Sequence, residues 1–121
     1  MRILCVDDEA DIRTILGLAL SLDPDFDAEI VATGAELLER ASGGTYDAFL
    51  LDGMMPELDG YELCRRLKAD PRTATTPVVF LTAKTQREEV ARALALGATA
   101  CLTKPFDPLS LAGALRAALG R

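Results

Sequence analysis

Five residues of this chain are of types that could do chemistry together: the consecutive carboxylates Asp7 and Asp8, the carboxylate Asp52, the hydroxyl of Thr82 and the ammonium of Lys104. Each stands at the end of a short apolar run. Arg2 to Val6 precedes Asp7, Phe49-Leu50-Leu51 precedes Asp52, Pro77 to Leu81 precedes Thr82, and Ala100 to Thr103 precedes Lys104. Such runs read as buried strands, and the C-terminal edge of a parallel sheet, at its switch point, is where an open α/β fold keeps its ligand site. Three clustered carboxylates repel one another unless a cation sits among them. An all-oxygen set with no nitrogen or sulfur donor suits magnesium, with manganese as the substitute. Asp8, Asp52 and the backbone carbonyl of Met54 are the expected direct ligands, with Asp7 beside the ion, partly through water. A carboxylate such as Asp52 can attack phosphorus to give an acyl phosphate. The Lys104 ammonium, and the Thr82 hydroxyl with the Ala83 amide, could then hold equatorial oxygens that the metal does not.

The elements that must position these residues follow from periodicity and breakers. Ile12, Ile15, Leu16 and Ala19 predict a first helix, ended by Asp23-Pro24-Asp25, and Ala28 to Ala32 predicts an edge strand that tolerates Glu29. Thr33 and Glu36 form a capping box for a helix running to about Ser42, before Gly43-Gly44, and Asp47 to Leu51 forms the third strand. Asp59-Gly60-Tyr61-Glu62 repeats the capping pattern ahead of Leu63, Cys64 and Leu67, with Asp70-Pro71 as the stop. Pro77 to Thr82 suits a strand buried on both faces. Thr85 to Glu88 caps a fourth helix carrying Val90, Ala91 and Leu94 and ending at Gly97. Asp107-Pro108 opens a fifth, with Leu111, Ala112, Leu115, Ala118 and Leu119 as its core face. Five strands alternating with five helices predict one α/β domain over residues 1–121, a doubly wound parallel sheet in the order 2-1-3-4-5 with helices on both faces.

Composition narrows the function classes. The 121 residues are 50% hydrophobic and carry a net charge of -6, with 19 acidic against 13 basic side chains. No basic run is dense enough to track a phosphate backbone, so direct nucleic-acid binding is not expected. The three cysteines, Cys5, Cys64 and Cys101, sit in apolar settings without a paired spacing, as small core residues of a reducing compartment do. No signal peptide and no membrane span is read, so a cytoplasmic location is expected. Histidine is absent, which excludes His-based triads and a phosphohistidine on this chain.

Taken together, Val6-Asp7-Asp8-Glu9, Leu51-Asp52 with Met55-Pro56 and Asp59-Gly60, Leu81-Thr82-Ala83, Gly97-Ala98 and Lys104-Pro105-Phe106 resemble the receiver domain of two-component response regulators over essentially the whole chain. The resemblance implies a flavodoxin-like (βα)5 three-layer sandwich. It implies Asp52 as phosphoacceptor, Asp7 and Asp8 as the acidic metal pair, Thr82 as the switch hydroxyl and Lys104 as the phosphate-reading lysine. Gly53, Thr82, Ala83 and Lys104 make the implied phosphate-binding set, and the Lys104-Pro105 bond is expected to be cis. Phosphate would come from a histidine kinase, a histidine phosphotransfer protein or a small acyl phosphate. Its arrival would remodel the face of helix four, strand five and helix five for a downstream partner, with a phosphorylation-dependent homodimer among the outcomes.

Two positions depart from the family pattern. Cys101 replaces the strand-five aromatic that normally moves with the switch hydroxyl, and Gly53 replaces a bulkier residue after the phosphoacceptor. Met54 and Lys84 occupy positions that tune hydrolysis in the family, and an apolar Met54 cannot orient a water. A phosphoryl group outlasting that of fast chemotaxis-type receivers is the expectation. The competing enzyme reading, a magnesium-dependent phosphatase with an aspartyl intermediate, needs a second carboxylate where Met54 stands. A pseudo-receiver reading is disfavoured by the complete set of five residues. Taken singly, Asp7-Asp8 is as readily a helix cap and Lys104 a solvated charge; joint placement at successive strand ends is what makes a site.

Overall fold

The structure is a computed structural model that describes residues 1–53, 59–82 and 87–120. Five parallel strands, β1 (Arg2–Val6), β2 (Asp27–Val31), β3 (Ala48–Asp52), β4 (Val78–Thr82) and β5 (Ala100–Thr103), form one sheet in the order β2-β1-β3-β4-β5. Between and after them run α1 (Ala10–Ser21), α2 (Gly34–Gly43), α3 (Gly60–Ala69), α4 (Arg87–Ala95) and α5 (Leu111–Ala118). The doubly wound α/β architecture matches the sequence expectation.

Register explains the two cores. Val6 pairs with Val31 and Leu51, Leu51 with Phe80, and Phe80 with Cys101, so these side chains share one face of the sheet. That face packs against Leu37, Leu63, Cys64, Leu67 and Ala93 of α2, α3 and α4. Cys5, Leu50 and Val79 point to the opposite face, where Leu16, Ala19 and Leu20 of α1 and Leu111, Ala112 and Leu115 of α5 cover them. Strands buried on both faces need near-continuous apolar runs. Their polar residues are therefore displaced to the strand ends.

Several local expectations need correction. The buried stripe of α1 is Leu16, Ala19 and Leu20, with Ile15 39% exposed, because Leu20 completes the stripe one turn after Leu16 and turns Ile15 outward. Among the described side chains of α4 Ala93 is buried while Leu94 is 47% exposed and Ala91 is exposed, since this helix packs at the β5 edge. The fifth helix begins at Leu111, not at Asp107-Pro108. Asp107 instead anchors a preceding turn, its carbonyl accepting from the Ser110 and Leu111 amides and its side chain from the Leu109 amide. Both capping boxes form only half. Thr33 and Asp59 accept from the amides of Glu36 and Glu62, each bond typically worth about 1 kcal/mol. The Glu36 carboxylate, however, meets the Thr33 hydroxyl, and Glu62 is taken by Arg65 and Arg66. Thr85 and its cap lie outside the described residues. At the end of α4, Gly97 adopts φ +100 while the Ala98 amide reaches the Ala93 carbonyl, a left-handed termination that glycine permits without strain.

Arg116 of α5 ties the far end of the sheet to the α1–β2 turn through Asp23 at 2.7 Å and Asp25 at 2.9 Å. Hydrogen bonding from Arg116 holds the Asp23 carboxyl below the usual carboxylate value. A depressed folded value means the stabilisation is present above the unfolded pKa and is lost as pH falls through the folded one. Thermal melts across the acid range should therefore show a shallower acid limb for Arg116→Gln than for the wild type, with the two curves converging at the lowest pH.

Candidate functional site

Four strands deliver the five side chains to one edge of the sheet. Asp7 follows β1 and is 1% exposed, its amide donating to the Val31 carbonyl at 3.2 Å. Its Oδ1 accepts the Glu9 amide at 2.9 Å, and Arg13 donates to its carbonyl at 2.9 Å, which together fix the loop entering α1. Asp8, its neighbour, is exposed. Asp52 and Thr82 are the last residues of β3 and β4 and are both buried. Lys104 follows β5, its amide donating to the Thr82 carbonyl at 2.8 Å, and the Lys104-Pro105 bond is cis.

The Lys104 ammonium lies 2.8 Å from Asp7 Oδ2 and 3.3 Å from Asp52 Oδ2, with its side chain 14% exposed. Burial alone would pull the ammonium down. The two carboxylates outweigh it, so Lys104 rises above the ordinary lysine value and stays charged. Carboxylate oxygens of Asp7, Asp8 and Asp52 all lie within 4.8 Å of one another. Among the described residues, the three carboxylates face one ammonium, that of Lys104.

That cluster fits a hard divalent cation. Asp7 Oδ2 is buried and lies 2.8 Å from the Lys104 ammonium, which also faces Asp52. Two buried carboxylates and an exposed one, with oxygens all within 4.8 Å of one another, are a donor set with capacity for an oxygen-loving ion. Met54 and Ala83, the other expected site residues, lie outside the described residues, as does Lys84.

Two glycines let the backbone close around the site. A Cβ on Gly60 would lie 2.4 Å from the Asp52 carbonyl oxygen and 3.0 Å from both Gly53 Cα and Phe80 Cε1, so only glycine lets α3 start this close to the end of β3. At Gly53 a Cβ would stand 3.4 Å from Thr82 Oγ1, ordinary contact, so glycine keeps a side chain from lying against the Thr82 hydroxyl. Sequence reasoning missed the role of Gly60, which it read only as part of a cap. It missed Arg13 as well, since nothing in the spacing marks a guanidinium for a carbonyl six residues back.

Cys101 is half-buried against the α2–α3–α4 core, and burial raises its thiol above the ordinary cysteine value. A protonated thiol is a poor nucleophile, which argues for packing over redox sensing. Among the described residues no helix is long and apolar enough to cross a membrane.

Comparison with known proteins agrees with this geometry. The family model for the response regulator receiver domain matches residues 3–116. The response regulator ArlR of Staphylococcus saprophyticus is 36% identical over 120 residues, covering 99% of this chain and 53% of that protein. The chain thus spans about half the length of the curated relatives it matches. Among solved structures, the chemotaxis response regulator CheY4 of Vibrio cholerae superposes with a TM-score of 0.89 at 32% identity, over 97% of each chain. The receiver domain of a sensor histidine kinase of Pseudomonas aeruginosa, described with a magnesium ion coordinated in its active-site cleft, gives 0.85 at 29% identity over 99% of this chain and 98% of that one.

Proposed function

This chain belongs to the response regulator receiver domain family and is a phosphorylation-dependent signalling domain of two-component systems, and from that premise we propose that Asp52 is its phosphoacceptor. What carries the assignment is the Lys104 ammonium shared between Asp7 and Asp52 at the carboxyl edge of the sheet, with Asp8 in reach. An Asp52 oxygen attacks phosphorus, the new P–O bond forms, and the bond to the leaving imidazole nitrogen or acyl oxygen breaks with its electron pair. Positioning and charge neutralisation supply most of the acceleration of such a transfer.

Asp8 and Asp52 would hold magnesium, with the Met54 carbonyl as a further ligand and Asp7 alongside. When bound, the ion supplies neutralising charge to the phosphoryl oxygens. Lys104 releases its hold on the carboxylates to grip another oxygen, and the Thr82 hydroxyl with the Ala83 amide takes a third. Gly53 sets no side chain against the Thr82 hydroxyl in that movement. The domain catalyses its own phosphorylation and hydrolysis and otherwise acts as a switch, in one receiver unit over residues 1–121.

The donor is a histidine kinase or histidine phosphotransfer protein, and the face of α4, β5 and α5 meets the downstream partner. A net charge of -6 favours a protein partner over direct contact with nucleic acid. Incubation with acetyl phosphate and magnesium, read by intact mass, should add one phosphoryl group per chain. Replacing magnesium by EDTA should prevent it. Uptake that persists in EDTA, or none in magnesium, would refute the assignment.

A further inference from the structure

Outside the acidic cluster, the most continuous physical connection leaving the site is a stack of three side chains. Phe80 lies on β4 two residues before Thr82 and is 1% exposed. Its ring is packed under the two glycines that flank Asp52, 3.8 Å from the Cβ position of Gly53 and 3.0 Å from that of Gly60. The Tyr61 ring stacks on Phe80 with centroids 5.2 Å apart and planes at 28°. On α4, the Arg92 guanidinium covers the Tyr61 ring at 4.2 Å from its centroid. Tyr61 is itself 7% exposed.

We infer that Tyr61, clamped between Phe80 and Arg92, is the positioning residue that couples the state of Asp52 to the placement of α4. The inference rests on the reading of Asp52 as phosphoacceptor. A phosphoryl group on Asp52 adds charge and volume where β3 ends, and the Asp52 carbonyl and Gly53 Cα lie against Gly60 at the start of α3, which the Phe80 ring also borders. Close-packed rings transmit a displacement because there is no void to absorb it. Tyr61 lies in the first turn of α3 and touches α4 through Arg92, so any repositioning of Phe80 is felt by both helices.

Cys101 strengthens the case. It pairs in register with Phe80 and joins the same core, so its side chain lies on the same face as the stack. A small thiol there supplies no ring of its own. The aromatic surface linking the site to α4 at this position is therefore that of Phe80 and Tyr61. The cation over the Tyr61 ring adds a weak attraction, which biases α4 without locking it.

The chain has no tryptophan and two tyrosines, so Tyr46→Phe leaves Tyr61 as its sole tyrosine emitter. In that protein, magnesium with beryllofluoride should change tyrosine emission, and Asp52→Asn should remove the change. Hydrogen exchange of the Arg87–Ala95 segment should differ between the free and beryllofluoride-bound wild type. In Tyr61→Leu, which keeps an apolar side chain but no ring, that difference should be lost while acetyl phosphate still adds one phosphoryl group. Arg92→Met cuts the same stack from the α4 side without touching the core, and the same loss is expected of it. Unchanged emission, or an undiminished exchange difference in Arg92→Met, overturns the coupling. Failure of the wild type to take up a phosphoryl group refutes the reading of Asp52, and the coupling falls with it.

Discussion

Asp52→Asn should take up no phosphoryl group from acetyl phosphate under conditions in which the wild type is modified, and should be at least as stable as the wild type when both are melted in EDTA. The first outcome follows from chemistry: an amide oxygen is not a nucleophile toward phosphorus and cannot form the acyl phosphate. The second follows from charge. Asp7 and Asp52 are both buried, Asp8 stands within reach of them, and among the described residues one ammonium, that of Lys104, faces the three. Without a metal ion this is a repulsive cluster, and asparagine removes one negative charge while keeping shape and one carbonyl acceptor for Lys104. Magnesium should reverse the order. An ion bound only by the folded state stabilises by mass action, and removing a ligand carboxylate weakens that binding. Melts of both proteins with and without magnesium would show a large metal-induced shift for the wild type and a small one for Asp52→Asn. An Asp52→Asn protein that melts lower in EDTA would mean that the Lys104–Asp52 pair outweighs the repulsion.

The strand ends were legible in the sequence because a sheet buried on both faces leaves polar side chains nowhere else to go. Leu51 followed by Asp52 and Leu81 followed by Thr82 mark the edge without any knowledge of the rest. The division of labour between Asp7 and Asp8 was not legible. Consecutive residues leaving a strand point to opposite sides, and which of them turns inward depends on the Glu9 amide and Arg13 that fix the loop. Asp7, the expected neighbour of a metal ion, partly through water, is also the buried partner of Lys104. The Gly60 contact with Asp52 escaped because it depends on how closely α3 approaches β3, a tertiary distance that a capping pattern does not encode. Residues 107–110 show the same limit in a turn. Asp107-Pro108 is as good a signal for a tight turn as for a helix start, and the turn is what forms. On α4 the expected repeat is apolar, and among the described side chains the small Ala93 is the one buried.

Lys104→Met should separate what the ammonium does for folding from what it does for transfer. Methionine keeps the length and apolar stem of lysine, and the Lys104 backbone amide bond to Thr82 does not depend on the side chain. What disappears is the cation between Asp7 and Asp52. Removing one partner of a fully dry ion pair costs about 3–5 kcal/mol. Here the loss should be smaller, because Asp8 is exposed and Lys104 is 14% exposed, so water reaches the charges. Denaturant melts in EDTA would measure that loss, and magnesium should restore part of it by bringing positive charge back to the same carboxylates. Phosphoryl transfer should suffer more. A preorganised donor aimed at developing charge on a transferring group is worth about 10²- to 10³-fold in rate, and no added ion can occupy the position of Lys104 at the end of β5. Time courses of mass gain from acetyl phosphate at saturating magnesium would therefore stay slow even where the melts have recovered. A Lys104→Met protein that regained stability and rate together would reduce the lysine to a counter-ion and remove it from the transfer step.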